Sequence, residues 1–333
     1  MMSVLCLGEI LVDWVCTTVG AELDQATIFT KAPGGAPANV AVGLSRLGVP
    51  TGFIGRVSTD AFGQWLHQVL VEAGVDTRGT ISDERSQTRM AYVVTTITGD
   101  RKLAEFSKIA CADACLEPGD LKPDIFSQAS LLHFGSISLI SSPAAEATQE
   151  SISLARKSRL LISYDPNVRI GLWPSALACR QKILDTLSWA DIVKINLDEL
   201  EFLTGSRQLE SAEALRKEHK LALIIVTLDA DGAYFACAEG SERVTGFKIK
   251  LVEATGAGDG FAAGLISGLL PMIEKASSRR EQLERMGIAE LRAIVSRANA
   301  VGALTCTRKG AIPALPTSRE VKDFLKQPAV HPA

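Results

Sequence analysis

Short runs of β-branched and aliphatic residues punctuate the chain, and their rhythm limits what it can fold into. Seven stand out: VLCLGEILVDWV from Val4, TGFIGRV from Thr51, AYVVTTI from Ala91, LLHFGSISL from Leu131, LLISYD from Leu160, DIVKIN from Asp191 and ALIIVTL from Ala222. Between several of them lie stretches of helical periodicity, among them AFGQWLHQVLVEAG from Ala61 and PAAEATQESISLARK from Pro143. Strand alternating with helix predicts an α/β fold whose sheet is mostly parallel and buried. The 333 residues, 47 % of them hydrophobic, suffice for a large core. Two regions break the rhythm, about 12–33 and 88–108, where strand-like runs follow one another without a helix. Such an insertion makes either a flap over a cleft or an ordinary edge hairpin. From Gly258 onward the pattern is largely helical. A single α/β unit is expected to span 1–327, with 328–333 as a frayed tail.

The formal net charge is −3 and the basic residues are scattered, so nothing suggests the basic face that nucleic acid or an anionic membrane would require. Small-molecule or protein partners are the expectation. The apolar start carries Glu9 and Asp13 and lacks a basic leader, which argues against a signal peptide. No uncharged run approaches about 20 residues, so no membrane span is expected. Seven cysteines, an odd number scattered along the chain, fit reduced thiols of a cytoplasmic protein better than a disulfide framework. Cys111 and Cys115 have no second pair nearby, and zinc is not expected.

The stretch EATGAGDGF, Glu253 to Phe261, follows the alternating run FKIKLV, which reads as a strand. A Walker loop would need a lysine that is missing here. A dinucleotide fingerprint would need glycine where Phe261 stands. What remains is a strand, a tight turn through Gly256, and a helix beginning near Gly258. The first backbone N–H groups of such a helix form an anion site. Two readings of Asp259 stay open on local chemistry. It either stabilises its helix, worth roughly 0.3–1 kcal/mol, or accepts a proton from a hydroxyl attacking a phosphoryl group.

A second glycine-rich stretch, APGGAPANVAVGLSRLG, places Gly34 and Gly35 before Pro37, which suits a first helical turn. Asn39, close behind, both donates and accepts hydrogen bonds, as a sugar hydroxyl requires. A simple loop and helix cap would use the same residues. Together, GGAPANVAVGLSRLG and ATGAGDGF resemble the paired signatures of the ribokinase-like (PfkB) carbohydrate kinase family. The resemblance runs from GEILVD at Gly8 to TRKGAIPALP near the end. It implies a three-layer sandwich, a central mostly parallel sheet flanked by helices, with a small β lid that would account for the two rhythm-breaking segments. The implied reaction is transfer of the ATP γ-phosphate to a sugar hydroxyl, with Mg2+. By that resemblance Asp259 is the catalytic base, and Gly256, Ala257 and Gly258 form the anion hole. Asp13, Gly34, Gly35 and Asn39 match sugar-binding positions.

Further matches concern the nucleotide. In KINLDEL, Asn196 and Glu199 resemble the NxxE pattern that organises Mg2+ through water, although a solvated helix-face acid would read alike. TLDADG resembles the nucleotide loop, implicating Thr227 and Gly232, with Asp229 in place of the usual first glycine. Asn299 falls where relatives contact adenine. YDPNVRIGLW resembles the DxNxR segment of fructokinases and 2-keto-3-deoxygluconate kinases, which makes Arg169 a substrate candidate, or else a surface arginine. EFSKIACADACL resembles a fructokinase stretch with Lys108 at its arginine position, a change that keeps the charge and loses the planar fork. HFGSISL, with Gly135 and Ser136, is similar to fructokinases as well. Phosphorylation of D-fructose at O6 is therefore the expectation, with 2-keto-3-deoxygluconate and ribose kinases as alternatives and a non-catalytic sugar or nucleotide sensor as the rival from another class. The resemblance also implies a monovalent-cation site, for K+, near Glu253, Thr305, Arg308 and Gly310. There Glu253 is longer than the usual aspartate, and Ala314 lacks an oxygen that some relatives have. Homodimerisation through the lid is a further implication.

Overall fold

Each of the seven apolar runs contributes at least one strand to the computed structural model, which describes residues 2–97, 101–107 and 111–326. Lys108 and the tail 328–333 lie outside the described residues. In chain order the strands are β1 Val4–Leu7, β2 Leu11–Val19, β3 Phe29–Gly34, β4 Thr51–Ser58, β5 Asp76–Asp83, β6 Met90–Thr95 and β7 Arg101–Phe106. They continue with β8 Leu131–Phe134, β9 Leu161–Tyr164, β10 Ile192–Asn196, β11 Leu223–Thr227, β12 Gly232–Ala236 and β13 Ser241–Thr245. Nine of them form one sheet in the order β13-β12-β11-β10-β9-β8-β1-β4-β5. Every neighbouring pair from β11 to β5 is parallel, and β12 and β13 add an antiparallel edge.

Alternation along the central strands divides the interior into two cores. Val4, Leu131, Leu161, Ile192 and Leu223 face one core, which also takes Val40 and Leu44 of the helix Ala36–Arg46 and Phe261 and Leu265 of the helix Ala257–Ile273. Leu5, Leu132, Ile162, Val193 and Ile224 face the other, against the helices Ala144–Lys157 and Ala176–Leu187. Each fully buried aliphatic side chain stabilises by about 1.5–3 kcal/mol. A one-residue slip in any strand would exchange the two sets, so the register is strongly specified.

The two rhythm-breaking segments pair with each other in a separate four-stranded sheet, β3-β2-β6-β7, in which β2 and β6 run parallel. One sequence expectation fails. FKIKLV, Phe247 to Val252, forms no strand. The sheet already ends at the edge strand β13, and Leu251 and Val252 stand 61 % and 45 % exposed, so alternation there has no buried face to serve. The segment is held instead by the Val252 N–H, which donates to the Cys306 carbonyl at 2.9 Å. No helix among the described residues is long and apolar enough to cross a membrane.

Because the central strands are parallel, their carboxyl ends share one edge of the sheet. There Glu9 follows β1, Ser136 follows β8, Asp165 follows β9, Asn196 ends β10 and Thr227 ends β11. In open α/β sheets ligands bind beyond that edge.

Candidate active site

The early glycine pair is demanded by its surroundings. Gly35 adopts φ 103°, and a Cβ on it would lie 2.5 Å from the Glu9 carbonyl oxygen. At Gly34 a Cβ would lie 2.3 Å from a carboxylate oxygen of Asp13, so that carboxylate rests against bare backbone. The helix Ala36–Arg46 begins immediately afterwards, and its first N–H, from Ala36, donates to Glu9 Oε1 at 3.0 Å. Burial pushes the Glu9 carboxyl up to about 7, against the backbone hydrogen bonds and helped by nearby Asp113.

One turn into that helix, buried Asn39 donates through Nδ2 to Asp259 Oδ2 at 2.7 Å. This contact joins residues 220 positions apart and unites the two glycine-rich stretches. It leaves buried Asn39 Oδ1 without a protein partner among the described residues. Asp259 stands in the first turn of the helix Ala257–Ile273, after Gly256 in a left-handed conformation at φ 80°, packed on Ala311. Desolvation in the cleft raises the Asp259 carboxyl to about 6, and Asp165 adds to the rise, while Asn39, Lys194 and Arg169 oppose it. A carboxyl poised there is ionised at neutral pH yet remains a usable proton acceptor.

The turn also sorts the anion-binding donors. The Ala257 N–H donates to Ala254 O at 3.1 Å and the Gly260 N–H to Gly256 O at 2.8 Å. Those of Gly258 and Asp259 donate to no acceptor among the described residues. In this structure the Ala257 N–H is engaged within the turn, while those of Gly258 and Asp259 face outward from it uncommitted.

Two functional candidates escaped the sequence reading. Lys194 of β10 is buried, and its Nζ lies 2.9 Å from Oδ2 of buried Asp165, just past β9. The register sets Val193 opposite Tyr164, and the next residues along are this pair. A Cβ on Gly258 would come within 3.0 Å of the Lys194 ammonium. Burial works against the lysine's charge, but the carboxylates of Asp165 and Glu199 outweigh it and hold the group above its ordinary range. Removing one partner of such a pair costs about 3–5 kcal/mol. The available signal was a lysine in the otherwise apolar DIVKIN, since a strand buried on both faces tolerates a charge only when it is paired.

On the nucleotide side, Asn196 and Glu199 cap one another at the start of the helix Leu197–Thr204. The Glu199 N–H donates to Asn196 Oδ1 and the Asn196 N–H to Glu199 Oε2, each at 2.8 Å. Glu199 Oε1 accepts from the Val168 N–H at 2.7 Å, so this acid is buried and anchors the loop that carries Arg169. Burial and nearby Asp165 raise its carboxyl. Thr227 lies opposite Asn196 in the sheet. Asp229 takes the left-handed conformation, φ 51°, and so keeps the backbone path for which a glycine was expected; Gly232 opens β12. Asn299 is buried, and its Nδ2 donates to the carbonyls of Val244 and Thr245 at 3.1 and 3.2 Å. A cavity of about 1140 Å³ adjoins this cluster, lined by Phe106 of the small sheet and by Arg169, Asn196 and Glu199. Asp259, Asn39 and Asp13 are not among the residues that line it.

The residues implied for a monovalent cation come together only in part. Buried Glu253 donates its backbone N–H to Cys306 O at 3.2 Å, beside Thr305. Thr305 Oγ1 donates to Val301 O at 2.9 Å. Gly310 precedes Ala311, on which Gly256 packs, whereas the Arg308 guanidinium turns outward to pair with Glu320.

Comparison with known proteins bears on this arrangement directly. Residues 1–318 match the pfkB family of carbohydrate kinases. The chain belongs to that family. It is 41 % identical over 332 residues to a probable chloroplastic fructokinase-6 of Arabidopsis thaliana, covering 98 % of this chain and 83 % of that protein. Fructokinase-2 of Solanum lycopersicum is 38 % identical, covering 97 % of this chain and 96 % of its own length. Among solved structures, an ATP-bound fructokinase from Xylella fastidiosa superposes with a TM-score of 0.87 at 29 % identity, covering 98 % of both chains. A Vibrio cholerae fructokinase holding fructose, ADP and calcium gives 0.81 at 30 % identity, covering 98 % of this chain and 99 % of that one. As a member of this family the chain is an ATP-dependent sugar phosphotransferase on a ribokinase-like fold.

Proposed function

We propose that the chain is a fructokinase that transfers the γ-phosphoryl group of ATP to O6 of D-fructose. The observation that carries this reading is the Asn39–Asp259 contact, which sets a base beside the uncommitted N–H groups of Gly258 and Asp259. Relatives named as fructokinases at 38–41 % identity over nearly the whole chain support the choice of sugar. Asp13, Asn39 and the bare backbone at Gly34 and Gly35 orient the sugar. The hydroxyl proton passes to Asp259 as oxygen attacks phosphorus in line, and the developing negative charge meets the helix N-terminus. The small sheet acts as a lid that excludes water, which would otherwise compete as acceptor. Lys108 and Arg169 complete recognition of the sugar or the phosphate. Thr227, Gly232 and Asn299 cradle the nucleotide.

Mg2+ supplies neutralisation of phosphate charge in such transfers. The residues here fit it: Asp165 has a buried carboxylate oxygen, Oδ1, without a protein partner among the described residues. Glu199, both of whose oxygens accept backbone N–H groups, suits a water-mediated role. K+ near Glu253 and Thr305 is part of the proposal, as is pairing of two chains through the small sheet, where Val19, Ile28 and Ile97 are exposed by 59 %, 62 % and 88 %. Cys6, Cys16, Cys179 and Cys237 are buried and unbridged, which suits a reducing compartment such as the cytoplasm. The deciding experiment is ADP release over a panel of fructose, ribose, 2-keto-3-deoxygluconate, adenosine and aminoimidazole riboside. Fructose is expected to give the highest kcat/KM, and a higher value for any other member would overturn the assignment.

A further inference from the structure

Beyond the glycine turn and its aspartate, a second positive group points at the same place. The Lys194 ammonium lies where a side chain on Gly258 would have to be, beside the two uncommitted N–H groups at the start of the helix Ala257–Ile273. Setting a buried cation at the positive end of a helix is electrostatically unfavourable by itself. It makes sense where an anion is to be received between them. An ammonium has three donors, and one bond to the protein, to Asp165 Oδ2, is formed. The ammonium lies 3.0 Å from where a Cβ on Gly258 would stand, so Gly258 backbone is within its reach. Asp165 in turn sits at the carboxyl end of β9, next to the other groups that would meet substrate.

We infer that Lys194, held by Asp165, is a second wall of the anion hole and contacts the phosphoryl group in transfer. This rests on the kinase reading above. During the reaction the bond from the γ-phosphorus to the ADP oxygen breaks and the bond to the sugar oxygen forms. The sugar proton goes to Asp259, and Lys194 stays protonated throughout. Its charge follows the phosphoryl charge and also helps keep Asp259 ionised, among the groups facing that carboxylate: Asn39, Asp165, Lys194 and Arg169. Asp165 is a positioning residue, acting through the lysine.

The test replaces the pair by neutral groups, Lys194→Met with Asp165→Asn, so that no unpaired charge is buried. Folding is checked by the far-ultraviolet melt. If the pair merely joins β9 to β10, this variant keeps the wild-type preference for ATP over ADP in metal-free buffer, where loss of the Asp165 carboxylate as a Mg2+ group does not register. The inference expects kcat to fall at least about 10²-fold, the loss typical of removing one preorganised donor to a transition-state anion. Fructose KM should change little, and the preference for ATP over ADP, read by calorimetry without sugar, should shrink about tenfold. Asp165→Asn alone, which keeps the lysine but loosens it, should lose about tenfold in kcat, the equivalent of about 1.4 kcal/mol. Lys194→Gln should move the acid limb of kcat/KM upward in pH, because the charge that stabilises ionised Asp259 is gone. Wild-type kcat in the double or in the Asp165→Asn variant, or an unchanged ATP preference, would overturn the inference. Failure of the wild type to release ADP on any sugar would instead sink the functional reading, and the nucleotide titration would still judge Lys194.

Discussion

The two glycine turns look alike in sequence but are walled by opposite kinds of group. The turn at Gly34 and Gly35 is walled by acceptors, the Asp13 carboxylate and the Glu9 carbonyl, and it leads to a neutral amide on Asn39. The turn at Gly256 to Gly258 is walled by a methyl group, Ala311 Cβ, and by the Lys194 ammonium, and it leads to bare N–H donors. One side offers acceptors, which the proposed reading gives to a polyol, and the other donors, which it gives to an anion. A glycine records only that something approaches the backbone closely; what approaches decides the chemistry.

Five substitutions or conditions would break or sharpen that contrast. The largest effect belongs to the residue where the turns meet: Asp259→Asn should lower kcat by about 10²–10⁴-fold with sugar binding retained, and near-normal turnover would remove the base. Next, Gly35→Ala forces a methyl group into backbone at positive φ. It should cost about 1–3 kcal/mol in urea unfolding and raise fructose KM by up to about 10², leaving ATP KM within a factor of about two. Gly258→Ala meets only the movable end of Lys194. It should cost little stability and about tenfold in kcat, with fructose KM held. A reversal, in which Gly35→Ala disturbs ATP and Gly258→Ala disturbs fructose, would show the two sides to be misassigned.

The pH profile gives a subtler check. Asp259 must be ionised to accept the proton and its carboxyl is raised to about 6. Activity is therefore full above that value and falls as pH drops through it, by about tenfold per unit in kcat/KM. A profile flat down to about pH 5 would contradict the raised carboxyl. The smallest effect is expected from the cation region, where activity in K+ should exceed that in a bulky organic cation by a few-fold. Equal rates would dismiss a site at Glu253.

Much of this was readable in advance because local chemistry is local. The alternation of apolar runs and helical segments follows from periodicity, and the helix at Ala257 from the glycine turn before it. FKIKLV shows the limit: its alternation is real, but a strand needs a neighbour with free N–H and C=O groups and a face to bury, and neither is visible in six residues. Lys194 and Asp165 show another, since the aspartate opens the DxNxR stretch but nothing there names its partner, a lysine 29 residues away.

By itself the sequence determined the α/β architecture, the two glycine turns and the identity of Asp259, because spacing and residue type are properties of short segments. Only the tertiary structure decided that Asn39 holds Asp259, that Ala257 is committed to its turn while Gly258 and Asp259 are not, and that the ammonium of a buried lysine lies beside Gly258. The contacts of Asn39 and of Lys194 join residues 220 and 29 positions apart, which parallel strands bring to one edge and which no local pattern encodes.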